Sequence, residues 1–168
     1  QMEEFQIEKC ILCPAGCSLN EELNTAYKNM PEKIIPLCWV NANEGQKGYD
    51  MLEHYLRDEN FAGIKMQPLF DAFTADSPLV DPIMEIAEAY QKPVFIHCGH
   101  PPYSLPWQIG LLAERHPRVT TVMLHMGHGH GVYIEGSLNM ALKYENLFLE
   151  TSGMPMGCQI KNAYEKAG

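Results

Sequence analysis

The sequence predicts an α/β protein built on a parallel sheet, and three observations carry that expectation. Six short apolar runs recur at a nearly regular interval of roughly thirty residues: Cys10 to Cys13, Ile34 to Val40, Phe61 to Met66, Val94 to Cys98, Val122 to Met126 and Leu147 to Leu149. Segments of helical character lie between them, and strand alternating with helix at this period means repeated βα units. The runs are apolar almost without interruption, as strands covered on both faces are. A closed eight-unit barrel takes about 250 residues, so six units occupy most of a 168-residue chain. An open doubly wound sheet of six strands fits the same count, although no glycine-rich phosphate loop follows the first run.

The first run, Cys10 to Cys13, reads as a buried strand. With Cys17 it forms a C-x2-C-x3-C spacing, and thiolates at such a spacing bind zinc or iron–sulfur centres. A fourth ligand at finger-like spacing is missing, so structural thiols are the preferred reading and an iron–sulfur site the minor one. The six cysteines fit free thiols in a reducing compartment better than a disulfide framework. Helical segments are expected at Glu21 to Met30, Gly48 to Asp58, Pro82 to Gln91, Pro106 to His116 and Tyr133 to Tyr144. In the third of these, Ile83, Ile86, Ala87 and Tyr90 fall at three- and four-residue steps, the spacing of one buried helix face. Asp81 and Pro82 supply an N-cap and a first-turn proline for it. His54 and His116 are expected on helix surfaces.

Composition narrows the function classes. A 46% hydrophobic share is ordinary for a globular protein with a core. Twelve basic against 21 acidic residues give a net charge of -9, which argues against a nucleic-acid partner. No apolar stretch is long enough to cross a bilayer, and QMEEFQIEK lacks the features of a signal peptide. The expectation is a cytoplasmic protein with a small-molecule substrate and neither a nucleic-acid nor a membrane partner.

The ends of four runs hold the candidate chemistry. Side chains alternate across a strand, so Lys65 with Gln67, Phe95 with His97, Met123 with His125, and Phe148 with Glu150 and Ser152 are each expected on one side. Polar groups thereby converge at the carboxyl ends of neighbouring strands, where barrel and doubly wound enzymes keep their sites. Neutral imidazole is a common ligand for divalent ions. His97 and His125 supply two ligands of the roughly three that a catalytic zinc takes. His128 and His130, spaced by glycines in GHGHG, are either further ligands or a solvated loop. His100, ahead of Pro101 and Pro102, is expected to line the mouth.

GIKMQP, KPVFIHCG, HPRVTTVMLHMG and ENLFLETSG, in that order, resemble strands four to seven of the amidohydrolase-related family. This is the amidohydrolase 2 branch of the metal-dependent hydrolase superfamily, a family of (β/α)8 barrels of the TIM type that includes decarboxylases related to aminocarboxymuconate-semialdehyde decarboxylase. The resemblance spans about residues 61–153, and Cys10 to Asn41 fit strands two and three by spacing alone. It implies that His97 is the metal ligand of the fifth strand. It also implies that His125, on the sixth, binds a second metal or orients substrate and water. Lys65 falls where some relatives carry a metal-bridging carboxylated lysine, and Gln67 stands where a histidine often follows. The family's H-x-H pair on strand one and its aspartate on strand eight have no counterpart, so the chain resembles units two to seven of a barrel. Unpaired edge strands would then need cover, for which a second copy of the chain is one candidate.

The expectation is one partial barrel domain, residues 1–168, that is a metal-dependent hydrolase acting on a small carboxylate or amide-like substrate through a metal-activated water. Its metal is expected to be zinc, held by His97 and His125. His125 and Lys65 are the candidate catalytic residues, and His100, His128, His130, Glu150 and Ser152 the candidate substrate-binding ones. Non-oxidative decarboxylation is the alternative reaction. The alternative to an enzyme is a catalytically incomplete fragment acting as an oligomeric binding protein.

Overall fold

A computed structural model describes residues 2–168. Six strands form one sheet: β1 (Cys10–Leu12), β2 (Ile34–Trp39), β3 (Gly63–Met66), β4 (Val94–His97), β5 (Thr121–Leu124) and β6 (Leu147–Leu149). They lie side by side in chain order, and every neighbouring pair is parallel. A doubly wound sheet reverses its strand order at a switch point. Here the order runs one way throughout, and the sheet curls into a partial barrel. Seven helices connect or follow the strands: α1 (Asn20–Asn29), α2 (Gln46–Arg57), α3 (Pro68–Asp71), α4 (Asp81–Ala89), α5 (Pro106–Arg115), α6 (Gly131–Lys143) and α7 (Gly157–Ala167). The five helices expected from sequence are present; the single turn of α3 and the whole of α7 were not anticipated.

The register divides the sheet into two faces. Cys38 pairs with Ile64 and Ile96 with Met123. These residues face the helices and join Leu52, Ile83, Met84, Ile109 and Leu112 in one fully enclosed core. Burying each such side chain contributes about 1.5–3 kcal/mol. On the other face Trp39 pairs with Lys65, Lys65 with Phe95, and His97 with Leu124. A smaller cluster of Met126, Ile134, Leu138, Met154 and Ala163 seats α6 and α7. Asn20, 1% exposed, holds α1 to the end of β2. Its amide donates to the Trp39 carbonyl and accepts from the Trp39 N–H, both at 2.9 Å.

Four expectations are corrected. Met123 lies in the helix-facing core rather than beside His97, and Leu124 occupies that side of β5. β1 is not a buried strand: Ile11 and Leu12 are exposed because β1 pairs with β2 alone among the described residues. Asp81 is the first residue of α4 and not its cap, and its carboxylate accepts from Arg115 and His116 instead. That bond also draws His116 out of the solvent, leaving its side chain 12% exposed. His54 is exposed on α2, as expected.

Candidate functional site

The inner face of the sheet and the loops at its carboxyl end enclose a cleft of about 430 Å³. Ile11, Leu37, Phe95 and Leu124 form apolar walls, and Cys13, Lys65, Gln67, His97, His125, Glu150 and Ser152 supply the polar lining. β3 places Lys65 and Gln67, β4 places Phe95 and His97, and the residues after β6 place Glu150 and Ser152. Strand alternation accounts for Lys65, Phe95 and His97, and Gln67, Glu150 and Ser152 lie just past the ends of their strands.

His125 arrives differently. Its parity along β5 would turn it toward the helices, but it has a φ of 65° and starts a short turn at His125–Gly127. Met126 and His128 follow with φ of 48° and 54°. Left-handed non-glycine residues cost about 1–2 kcal/mol each, so the loop carries strain that the surrounding packing sustains. Two glycines allow the loop to seat. A Cβ on Gly99 would lie 2.7 Å from the carbonyl of Gly127, and a Cβ on Gly127 would lie 2.4 Å from the backbone of Tyr133. The loops after β4 and β5 thus meet backbone to backbone.

The contact gathers four imidazoles. The His97 ring is 4.7 Å from those of His100 and His125 and 5.4 Å from that of His128, centre to centre. His97 Nε2 and His100 Nδ1 share a hydrogen bond at 2.8 Å. His125 Nδ1 lies 2.8 Å from the Ser152 carbonyl. A carbonyl only accepts, so Nδ1 carries the proton and Nε2 keeps its lone pair. Glu150 accepts from the backbone N–H of His125 at 3.2 Å and from the Ser152 hydroxyl at 2.7 Å, so it ties the end of β6 to the His125 turn. His130 stands apart, with its ring 5.5 Å from that of Tyr133 at the start of α6.

Burial, with Lys65 and the other imidazoles adding to it, lowers the pKa of His97 to about 3. Burial is also the main cause of the lowered values of His100 and His128, with the neighbouring imidazoles next. These rings are therefore neutral at pH 7, the form that binds metal. Burial lowers Lys65 to about 8 against the opposing pull of Cys13, Asp71 and Glu150, so it stays largely cationic at pH 7. Its Nζ donates to the Met66 carbonyl at 3.1 Å and lies 5.8 Å from the centre of the Trp39 ring. Trp39 Nε1 donates in turn to Asp71 at 2.8 Å. Asp71 has a raised pKa from burial. The sequence reading missed it because it follows β3 on the unanticipated turn α3.

The donors fit a divalent ion. His97, His125 and His128 bring ligand nitrogens within 4.8 Å of one another, the one such group of three or more histidine, cysteine or acidic residues among the described residues. Imidazole nitrogens suit zinc and similar borderline metals, and the bond from His125 to Ser152 is the kind of outer support that orients a ligating ring. Cys10, Cys13 and Cys17 are not gathered into such a group among the described residues.

A family model described as Amidohydrolase matches residues 10–167. The chain belongs to the amidohydrolase family. Solved structures share the fold of the chain at low sequence identity. An uncharacterized TIM-barrel protein of Bordetella bronchiseptica is 18% identical with a TM-score of 0.74, over 89% of this chain and 56% of its own length. 2,6-Dihydroxybenzoate decarboxylase from Rhizobium is 16% identical with a TM-score of 0.75, over 99% and 72%. 5-Carboxyvanillate decarboxylase of Novosphingobium aromaticivorans is 15% identical with a TM-score of 0.74, over 99% and 65%. It was solved with manganese and 4-hydroxy-3-methoxy-5-nitrobenzoic acid. The chain thus spans between 56% and 72% of the length of these structures. No curated protein matches it in sequence. Among the described residues, no helix is long and apolar enough to cross a membrane.

Proposed function

We propose that His97, His125 and His128 hold a divalent metal and that the adjoining cleft takes a small aromatic carboxylate, which loses carbon dioxide there. The observation that carries this is the meeting of three imidazole donors within 4.8 Å, two of which, His97 and His125, line the cleft that also holds a buried lysine and apolar walls. When bound, the ion supplies Lewis-acid polarisation of substrate oxygens. Lys65 neutralises the carboxylate on entry, and Phe95, Leu37 and Leu124 flank the ring and exclude water. Loss of carbon dioxide leaves an electron pair on carbon that must take up a proton. Lys65, which lines the cleft and is largely cationic at pH 7, delivers it and regains a proton from solvent. The Ser152 carbonyl holds His125 in the tautomer that frees Nε2, and Glu150 holds the turn that carries the ring. Two of the fold's relatives being decarboxylases of aromatic acids supports this choice of reaction.

Hydrolysis is the second reading, favoured by the all-imidazole donor set, which suits zinc and its activation of water. Zinc is the ion proposed on the same ground, and manganese in a structural relative makes it the competitor. A single-domain, cytoplasmic homo-oligomer without nucleic-acid or membrane partners completes the proposal. It rests on the net charge of -9 and on the apolar edge residues Ile11, Leu12 and Phe148, exposed as they are.

Elemental analysis of the purified protein and of His97→Ala, with folding checked by circular dichroism, tests the metal assignment. About one equivalent of metal in the wild type and a large loss in the variant are expected. Unchanged metal content in His97→Ala sinks it. Carbon dioxide release from a panel of hydroxybenzoates, set against cleavage of aryl esters and amides, separates the two reactions.

A further inference from the structure

Lys65 is a cation buried in the wall of the cleft, and its charge is held indirectly. Of its three N–H donors the Met66 carbonyl takes one, at 3.1 Å. Its Nζ lies over the Trp39 ring, 5.8 Å from the centre, close enough for the negative face of an indole to attract an ammonium. Trp39 is itself buried and pairs with Lys65 across β2 and β3. A buried indole N–H needs an acceptor, and a neutral carbonyl would serve. Trp39 Nε1 instead donates to the Asp71 carboxylate at 2.8 Å, an acceptor whose own pKa burial raises against the opposing pull of Trp39 and Lys65. The loops also fix Asp71 in place. Asn43 donates to its backbone carbonyl at 2.6 Å, and the Asn41 side chain accepts from the Asn43 N–H at 2.9 Å, so the turn after β2 seats the last residue of α3. A carboxylate set at that cost against the indole calls for a reason beyond packing.

We infer that Trp39 and Asp71 are positioning residues for Lys65: the Asp71 carboxylate polarises the indole through its N–H, and the enriched ring face holds the ammonium, charged, at the cleft. The inference rests on the reading that Lys65 meets a substrate carboxylate. A hydrogen bond from an N–H to a carboxylate shifts electron density into the ring, and linked polar interactions strengthen one another where water is excluded. The arrangement also explains why the two charges are separated by a ring. A carboxylate bonded directly to Lys65 would occupy the donors that a substrate anion needs, whereas an aromatic face attracts the cation and uses none of them. Cys13 after β1, His97 on β4 and Glu150 after β6 also lie within electrostatic reach of the ammonium. Burial raises the Cys13 thiol above its ordinary value and lowers His97 to about 3, so neither of these changes charge between pH 6 and pH 8.

The test combines tryptophan emission with calorimetric binding of benzoate, both on the protein as purified, with thermal unfolding confirming that each variant is folded. In Trp107→Phe, which leaves Trp39 as the one tryptophan, emission should change with a midpoint near pH 8 as Lys65 loses its proton, and the step should vanish when Lys65→Met is added. Asp71→Asn keeps an acceptor for the indole but removes the charge, and should lower the midpoint by about one unit. Glu44→Gln removes a nearby carboxylate that is not bonded to the indole and should leave the midpoint in place. Given that shift, benzoate binding by Asp71→Asn should fall about fivefold at pH 8 and hardly at all at pH 6, where the lysine is charged in either protein. Trp39→Phe, which keeps a ring but loses the N–H, should lose binding with the same pH dependence. A merely structural role would weaken binding alike at both pH values. Absence of the emission step, a midpoint in Asp71→Asn within about 0.3 unit of its parent, an equal shift in Glu44→Gln, or equal losses of benzoate at pH 6 and pH 8 overturns the inference. If the folded wild type binds no benzoate at either pH, the carboxylate reading falls alone and the emission midpoints decide the inference.

Discussion

Replacing Lys65 by methionine should make the protein more stable at neutral pH while depriving it of the charge proposed to meet a carboxylate. The Lys65 side chain is 4% exposed, and burial brings its pKa from the ordinary 10.5 down to about 8, the charges of Cys13, Asp71 and Glu150 offsetting only part of the effect. A drop of that size corresponds to ~3 kcal/mol at ~1.4 kcal/mol per tenfold change in proton affinity. Below pH 8 the folded and unfolded chains both hold the proton, so the penalty is fully present. Between pH 8 and 10.5 the folded chain releases the proton while the unfolded chain keeps it, and stability rises with pH. Methionine fills nearly the same volume and has no charge to desolvate. Urea unfolding at pH 7 should therefore show Lys65→Met more stable than wild type by up to ~3 kcal/mol, with the difference shrinking steadily as the pH approaches 10. A variant less stable than wild type at pH 7, or a difference identical at pH 7 and pH 10, would refute the idea that the buried charge is under strain.

Two further outcomes check the fold around the site. Asn20→Ala removes both bonds to the Trp39 backbone and leaves a buried donor and acceptor unmet, so chemical denaturation should register a loss of about 2–4 kcal/mol; a loss below ~0.5 kcal/mol would mean that water replaces the amide. Cys38 and Cys98 are fully buried, and burial raises both thiols, Cys98 to about 11. Alkylation followed by peptide mass mapping should leave these two unmodified in the native protein and label all six cysteines in urea, with Cys158, exposed on α7, among the first to react. Native labelling of Cys98 would show that the β4 loop opens.

Most of the architecture was readable because apolar runs and their spacing report burial, and burial dominates the packing of a parallel sheet. Each of the six runs overlaps a strand, and alternation placed Lys65, Gln67, His97 and Glu150 on the cleft side. At His125 it named the right side by the wrong route: period-two reasoning holds only while the backbone stays extended, and a φ of 65° ends that condition there. The misplaced Met123 follows from the same error, since His125 was taken to set the parity of its strand. β1 misled in another way. Its apolar letters are those of a core strand, but exposure depends on what covers an element, which local sequence does not state. The helix α7 left a signal that went unread, with Ile160, Ala163, Tyr164 and Ala167 at helical spacing. The joining of His100 and His128 to His97 was beyond sequence reasoning, because it depends on two loops touching at glycines.

That touching point has a consequence for how the site can change over evolutionary time. Gly99 lies against the Gly127 backbone and Gly127 against that of Tyr133, so a side chain at either glycine would push the loop bearing His97 and His100 away from the one bearing His125 and His128, or that second loop off α6. Substrate preference can drift freely through the side chains of the sheet wall, at positions such as Gln67, Phe95 and Leu124. The histidine-bearing loops must instead be inherited as a unit, and a recombinant that took one from a distant relative would keep the barrel wall but scatter its donors.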